Sequence, residues 1–267
     1  SQGLPRSAAT ATALNTYHAC GPGRASRLAR QCILAGMKYR QDETDFEITL
    51  TPQVSAVASV ILLHGLGADG RDFVPIADEF GLPDSLPVRF VFPHAPMRSV
   101  TVNNGFVMRA WYDIKSFTPA GREDLTGTVE SSRRVADCID RERQLGVAPA
   151  RVVLAGFSQG GAVALHSGLR YPERLAGILA MSCYLPFAET LAADRSAANS
   201  DVPILLCHGR GDPVVPIGMG LEAREELKAN GYAPEWRDYP MQHAVCMEEI
   251  ADVARWLKLR LAAAVGN

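Results

Sequence analysis

The chain has 267 residues, of which 47% are hydrophobic and 21% are charged, an ordinary composition for a globular protein with one large core. Its formal net charge of -2 provides no basic field, so nucleic acid and anionic membrane surfaces are not expected partners. No apolar run reaches the roughly 20 residues needed to span a bilayer, so we expect a soluble protein without integral membrane association.

The cysteines are scattered through the sequence and form no Cys-x-x-Cys pair. This scatter is typical of buried or incidental thiols rather than a disulfide framework, and it favours a reducing, cytoplasmic location. A zinc site needs ligands at short fixed spacings, which the histidines do not supply. We therefore expect no metal and no other cofactor.

The composition changes sharply at Met37, because residues 1–41 contain no Asp or Glu and are rich in small residues and arginine. A targeting peptide, a vector-derived or translated upstream segment and a true N-terminal arm all fit this composition. We expect residues 1–36 to be a non-native or disordered extension. One domain is expected over residues 37–267.

Strand-like and helix-like segments alternate along the rest of the chain. The predicted strands are Phe46–Leu50 (an edge strand, because apolar and polar residues alternate), Ser59–His64, Val88–Phe92, Val152–Ala155, Leu179–Met181, Ile204–His208 and Glu235–Tyr239. The predicted helices are Asp72–Phe80, Thr128–Leu145, one from Ser158 to about Tyr171, Ile217–Asn230 and Cys246–Leu261. This alternation predicts an α/β fold with a mostly parallel central sheet and helices on both faces.

Periodicity is lost between Arg98 and Thr126, where Asn103–Gly105 has the composition of a hairpin turn. An irregular insertion of this length in a compact domain is usually functional.

A Gly-x-Ser-x-Gly pattern, Gly156–Gly160, lies between a buried strand and a run of small residues that can begin a helix. The strand turns into the helix so abruptly that the serine backbone is strained and side chains two positions away would collide. Glycine at both ends of the pattern removes that collision. The pattern predicts a nucleophilic Ser158 hydroxyl at the edge of the sheet.

A serine hydroxyl needs a base to take its proton and an acid to orient that base. In a fold of this kind they follow the serine in the order acid, histidine. His243 lies in a loop after a later strand, and Asp212 follows the strand before it. The competing acids are less favourable, because Asp201 lies at the wrong end of a strand and Asp238 lies within one. The alternative role for Asp212 is that of a turn-forming residue.

Acyl transfer also requires hydrogen-bond donors for the oxyanion. One is expected to be the backbone N–H of Gln159, directly after the nucleophile, and the other that of Leu66 in the glycine-rich loop His64–Gly70.

Six motifs follow one another along the chain: Leu63–Gly70, Phe92–Pro96, Ala110–Asp113, Gly156–Gly161, Leu206–Pro216 and His243. From about residue 45 to the end, the chain resembles the carboxylesterase and acyl-protein thioesterase family of α/β-hydrolases (the phospholipase/carboxylesterase family), and bacterial carboxylesterases in particular. The resemblance implies an α/β-hydrolase catalytic domain without a large cap domain, the triad Ser158, Asp212 and His243, and oxyanion donors at Leu66 and Gln159. It also implies that the irregular insertion forms a flap beside an acyl pocket lined by Leu66 and Trp111.

These features favour a serine carboxylesterase that hydrolyses short- to medium-chain esters of small molecules through an acyl-enzyme on Ser158. An acyl-protein thioesterase or a lysophospholipase, with the same chemistry, is the alternative. A catalytically dead α/β-hydrolase that serves as a binding module is less favoured, because such proteins usually lose a triad member and none is missing here. The resemblance leaves a homodimer open.

Overall fold

The computed structural model describes residues 38–116 and 124–265 of the chain. Its strands in chain order are β1 (Tyr39–Glu43), β2 (Glu47–Pro52), β3 (Ala58–Leu63), β4 (Val88–Pro93), β5 (Met97–Val100), β6 (Phe106–Arg109), β7 (Val152–Phe157), β8 (Gly177–Met181), β9 (Ile204–Gly209) and β10 (Glu235–Tyr239). The predicted extension, residues 1–36, lies outside the described residues, and so does segment 117–123 of the irregular insertion.

Eight of these strands form one sheet in the order β1-β2-β4-β3-β7-β8-β9-β10. The pairs β1-β2 and β2-β4 are antiparallel, and the remaining pairs are parallel, which confirms the mostly parallel sheet. The expectation that β2 is an edge strand is wrong, because β1 pairs with its outer side and Ile48 is completely buried. No apolar pattern marks β1, because its residues after Tyr39 are polar and exposed.

The helices are α1 (Ile76–Glu79), α2 (Leu125–Gln144), α3 (Gln159–Arg170), α4 (Leu191–Asp194), α5 (Ile217–Ala229) and α6 (Met247–Val265). The predicted helix Asp72–Phe80 is wrong in extent: a 3₁₀ turn, Gly70–Phe73, is followed by the single turn of α1. Pro75 lies between them and has no N–H to continue the first turn.

Side chains from alternate positions of each strand enter two separate hydrophobic cores. Ile61 and Leu63 of β3 pack in one core with residues of α2, α3 and α5, whereas Val60 and Leu62 pack in the other with residues of α1 and α6. Because successive side chains of a strand point to opposite faces, the helices cover both faces of the sheet.

The irregular insertion contains a hairpin formed by β5 and β6, which pair from Met97 with Arg109 to Val100 with Phe106. At its turn, Asn104 (φ 55°) and Gly105 (φ 73°) both have left-handed backbone conformations, as the turn composition predicts. Phe106 is 68% exposed on this hairpin.

Between β8 and β9 the chain forms only short helical segments, namely the 3₁₀ turns Ala188–Thr190 and Ala197–Asn199 with α4 between them. These 22 intervening residues, 182–203, contain no cap domain. In the two ranges that the structure describes, no helix is both long and apolar enough to cross a membrane.

Candidate active site

Ser158 stands at the turn between β7 and α3 in a strained backbone conformation, with φ 55° and ψ -122°. Non-glycine residues rarely adopt such angles. The turn is so tight that a Cβ atom on Gly156 would lie 2.2 Å from the carbonyl oxygen of Gly160, and one on Gly160 would lie 2.3 Å from that of Leu63. The backbone N–H of Ser158 donates to Met181 of the neighbouring strand (2.8 Å) and fixes the turn against the sheet.

A chain of two hydrogen bonds joins Ser158 to Asp212 through His243. The Ser158 Oγ lies 2.9 Å from His243 Nε2, and His243 Nδ1 lies 2.6 Å from Asp212 Oδ2. An ionised Asp212 only accepts hydrogen bonds, so Nδ1 carries the proton and Nε2 is left to accept one from the serine hydroxyl. The structure thus brings the three predicted side chains together in the geometry of a nucleophile, a base and an orienting acid.

The carboxylate of Asp212 is held ionised by its surroundings. Its side chain is 0% exposed, and its Oδ1 accepts from the backbone N–H groups of Val214 (2.8 Å) and Val215 (2.9 Å). Burial opposes ionisation, but the hydrogen bonds from His243 and from these two amides outweigh it and lower the pKa of Asp212 below its ordinary value. Asp212 therefore has both roles: one carboxylate oxygen closes the turn at Val214 and Val215, and the other contacts His243.

Close backbone contacts hold the two loops that carry Asp212 and His243 against each other. The N–H of Gly211 donates to the carbonyl of Met241 (3.0 Å). A Cβ atom on Gly209 would lie 2.3 Å from the carbonyl oxygen of Gln242, so glycine is required where the loops meet.

The two other candidate acids pair with arginines, and the neighbouring histidine, His208, packs behind the Asp212 turn. Asp201 pairs with Arg174. Asp238 accepts from the side chains of Arg210 (2.6 Å) and Trp236 (2.8 Å). Burial lowers the pKa of His208, whose Nε2 lies 2.8 Å from the carbonyl of Val215, so the neutral ring supports the Asp212 turn.

The glycine-rich loop that carries Leu66 is fixed on both sides of that residue. His64 Nδ1 lies 2.7 Å from the carbonyl of Gly65, and the N–H of Gly67 (φ 76°) donates to the carbonyl of Arg109 at the end of the hairpin (2.9 Å). Burial lowers the pKa of His64 to about 4, so its ring is neutral and Nδ1 donates. Within residues 38–116 and 124–265, the N–H groups of Leu66 and Gln159 have no acceptor, so both are available to an oxyanion.

The side chain of Gln159 joins the nucleophile turn to this loop, a contact that the sequence does not indicate. Its Oε1 accepts from the N–H of Trp111 (2.9 Å), and its Nε2 donates to the carbonyl of Tyr112 (2.8 Å). Trp111 in turn donates from Nε1 to the carbonyl of His64 (2.8 Å). The Gly-x-Ser-x-Gly pattern names the position of Gln159, but partners 47 and 48 residues away carry no local signal.

The two predicted pocket residues differ in their surroundings. Trp111 is only 1% exposed and lines a cavity of about 300 Å³ with Leu63, Pro93 and Val135, and neither Ser158 nor Leu66 contributes to the walls of that cavity. Leu66 is half-buried in its loop. Trp111 therefore supports the loop from beneath, and acyl binding by either residue stays a prediction.

No group of three or more His, Cys, Asp or Glu side chains suited to a metal ion occurs in the part of the chain that the structure describes.

Comparison of the sequence with known proteins shows the family of the chain. The sequence model of the Phospholipase/Carboxylesterase family matches residues 45–261. The chain belongs to this family. Its fold is that of the α/β-hydrolases, as the resemblance implied.

The relatives within the phospholipase/carboxylesterase family include an acyl-protein thioesterase 1 from Schizosaccharomyces pombe, 41% identical over 183 residues, which cover 68% of this chain and 81% of that protein. Among solved structures, Arabidopsis thaliana SOBER1 is 33% identical with a TM-score of 0.73, covering 76% of this chain and 99% of that one. Zea mays acyl-protein thioesterase 2 is 29% identical with a TM-score of 0.72, covering 80% and 98%. These relatives are eukaryotic, and two of the three carry the thioesterase name.

Proposed function

We propose that the chain is a serine hydrolase that removes acyl groups from protein thioesters, an acyl-protein thioesterase, with Ser158 as its nucleophile. The observation that carries this proposal is the hydrogen-bonded chain from Ser158 Oγ through His243 to Asp212, at 2.9 and 2.6 Å. Membership of the phospholipase/carboxylesterase family supports a hydrolase, and the relatives named as thioesterases favour the thioester over the short-chain carboxylic ester that the sequence put first.

In the acylation step, His243 Nε2 takes the proton of Ser158 while Oγ bonds to the thioester carbonyl carbon. The carbonyl electron pair moves to oxygen, where the N–H groups of Leu66 and Gln159 stabilise the negative charge. The imidazolium of His243 then protonates the departing sulfur as the C–S bond breaks, which releases the protein thiol and leaves an acyl-serine.

Deacylation repeats this sequence with water as the nucleophile. His243 takes a proton from water, whose oxygen bonds to the acyl carbon, and returns the proton to Ser158 Oγ as the ester bond breaks. Asp212 stabilises the imidazolium in both halves, because its pKa is held low and it stays ionised.

Each oxyanion donor is worth about 3 kcal/mol of barrier when its position is fixed in advance. The hydrogen bonds at Gly65 and Gly67 fix the backbone on both sides of Leu66, and the start of α3 fixes that of Gln159. Little rearrangement is then needed as the charge develops.

The same machinery cleaves oxygen esters, since only the departing atom differs. We therefore expect carboxylesterase activity on short- to medium-chain esters as a weaker reaction, with lysophospholipids as a further class. The intact triad argues against a catalytically dead binding module. A cytoplasmic location and a homodimer stay predictions.

The test compares an S-acylated peptide with the oxygen ester of the same acyl chain and sequence, across short to long acyl chains, for wild type and Ser158→Ala. The proposal expects higher kcat/KM on the thioester, rising with chain length, and no activity in the variant. If kcat/KM is highest on short-chain oxygen esters and shows no preference for thioesters, the chain is a carboxylesterase instead. Failure of wild type to react with a fluorophosphonate probe would contradict both.

A further inference from the structure

Close to the loop that carries His243, a carboxyl group is buried with no basic side chain paired to it in the part of the chain that the structure describes. Glu249 lies in the first turn of α6 and is 0% exposed. Both of its carboxyl oxygens are buried, and within the described residues neither has a partner at hydrogen-bonding geometry. Such a group is costly to bury, and the catalytic mechanism does not use it.

No basic side chain acts on Glu249 within residues 38–116 and 124–265. The titratable and charged groups around it come from each element packed there: the thiol of Cys207 on β9, Tyr239 and Arg237 on β10, Cys246 before α6, and Asp252 within α6. Arg237 pairs with Glu235 and Asp252 instead, and the Tyr239 hydroxyl donates to Asp252 (3.0 Å).

These surroundings keep the carboxyl group protonated at neutral pH. Burial raises the pKa of Glu249 to about 8, although the backbone of Cys246 and the thiol of Cys207 act in the opposite direction. The N-terminal end of a helix ordinarily favours an anion, and here burial outweighs that effect.

Glu249 is placed where a change in its charge reaches the catalytic loop. Residues 240–246 connect β10 to α6, and the carbonyl of Cys246 accepts from Ile250 (3.0 Å) as the first turn of α6 forms. Met241 and Val245, on either side of His243, pack against the same hydrophobic core as Cys207 and Tyr239. The loop of His243 and the residues beside Glu249 therefore share one hydrophobic core.

We propose that Glu249 is a positioning residue. As a neutral carboxylic acid it holds the loop of His243 in place. When it ionises, the first turn of α6 opens and His243 moves away from Ser158. This inference rests on the proposed function, since its readout is the reactivity of Ser158. The activity is therefore expected to fall in mildly alkaline solution because a group outside the triad ionises.

The experiment measures the initial rate of fluorophosphonate labelling at Ser158 from about pH 6 to 10, with Ser158→Ala as the blank at each pH. For one group with a pKa of about 8, the wild-type rate falls about tenfold between pH 7 and pH 9. Glu249→Gln, the neutral isostere, keeps the wild-type rate near pH 7 and does not fall. The matched variant Glu248→Gln, whose side chain is exposed in the same turn, follows wild type, and so does Cys246→Ser.

Three results would overturn the assignment: a wild-type rate that does not fall, a Glu249→Gln profile that superimposes on wild type, or a fall abolished by Cys246→Ser. A wild type that never labels above the Ser158→Ala blank would instead contradict the proposed function. If Glu249→Gln does not fold, amide hydrogen exchange of the wild type decides. After correction for intrinsic rates, residues 246–250 must open more readily at pH 9 than at pH 7, relative to the C-terminal half of α6, and equal opening refutes the proposal.

Discussion

Replacing Asp212 with asparagine tests whether the acid acts by fixing the proton on His243. In the native structure, Asp212 Oδ1 accepts from two backbone amides, and Oδ2 accepts from His243 Nδ1. The single oxygen of an asparagine must therefore take the place of Oδ1, and its NH₂ group then faces Nδ1. A donor there favours the tautomer with the proton on Nε2, which cannot accept the proton of Ser158.

We expect Asp212→Asn to lower kcat about 10⁴-fold, equivalent to about 5 kcal/mol of barrier, because both the tautomer and the stabilisation of the imidazolium are lost. The assay is the single-turnover rate of thioester cleavage at neutral pH, with the thermal midpoint measured beside it to show that the fold persists.

The matched control is Asp238→Asn, because Asp238 pairs with Arg210 and Trp236 away from the serine, and its activity is expected to stay within about twofold of wild type. An Asp212→Asn protein that keeps more than a tenth of the wild-type kcat would refute the reasoning. The same loss in Asp238→Asn would refute the assignment of the acid.

Three further changes test the frame around the site. Gln159→Ala takes the acceptor from the buried N–H of Trp111 and removes one hydrogen bond to the carbonyl of Tyr112, so urea denaturation is expected to show a loss of about 2–4 kcal/mol. An unchanged midpoint would show that these two hydrogen bonds do not stabilise the fold. Gly160→Ala places a Cβ atom 2.3 Å from a carbonyl oxygen, so the free energy of unfolding is expected to fall by about 3 kcal/mol or more in the same measurement. Its control, Gly218→Ala, has open space around the new Cβ atom and is expected to lose less than about 1 kcal/mol. Equal losses in the two variants would contradict this reasoning. Burial lowers the pKa of His166 to about 4, so the unfolded chain takes up the proton first and the protein loses stability as the pH drops from about 6.5 to 4. His166→Gln is expected to lose up to about 3 kcal/mol less than wild type over this pH range. An identical pH dependence of the two proteins would show that His166 does not contribute.

The sequence predicts the parts of the fold that follow from apolar patterning. The buried strands β3, β7 and β9 are found within about two residues of their expected bounds, because continuous apolar runs mark strands covered on both faces. β1 could not be predicted in this way, since it is held by backbone pairing with β2 and its side chains are polar and exposed.

In the candidate site, too, some residues could be predicted from local sequence patterns and others could not. Ser158, Asp212 and His243 are marked by local patterns, a glycine-flanked serine and two loops after strands, and the structure brings them together. Trp111 and the side chain of Gln159 bond to residues distant in sequence, so the hydrogen bonds that support the glycine-rich loop could not be predicted. The burial of Trp111 depends on contacts with residues distant in sequence, so it could not be predicted either, and its part in an acyl pocket stays a prediction.

The backbone of Ser158 has an evolutionary consequence. A residue at φ 55° and ψ -122° holds about 1–3 kcal/mol of conformational strain that a glycine at the same position would relax. A chain relieved of any need for the hydroxyl would thus gain stability by drifting to glycine, one base change from some serine codons. The strained serine therefore lowers stability, and this cost is offset only where the hydroxyl is used, as the proposed acyl transfer uses it.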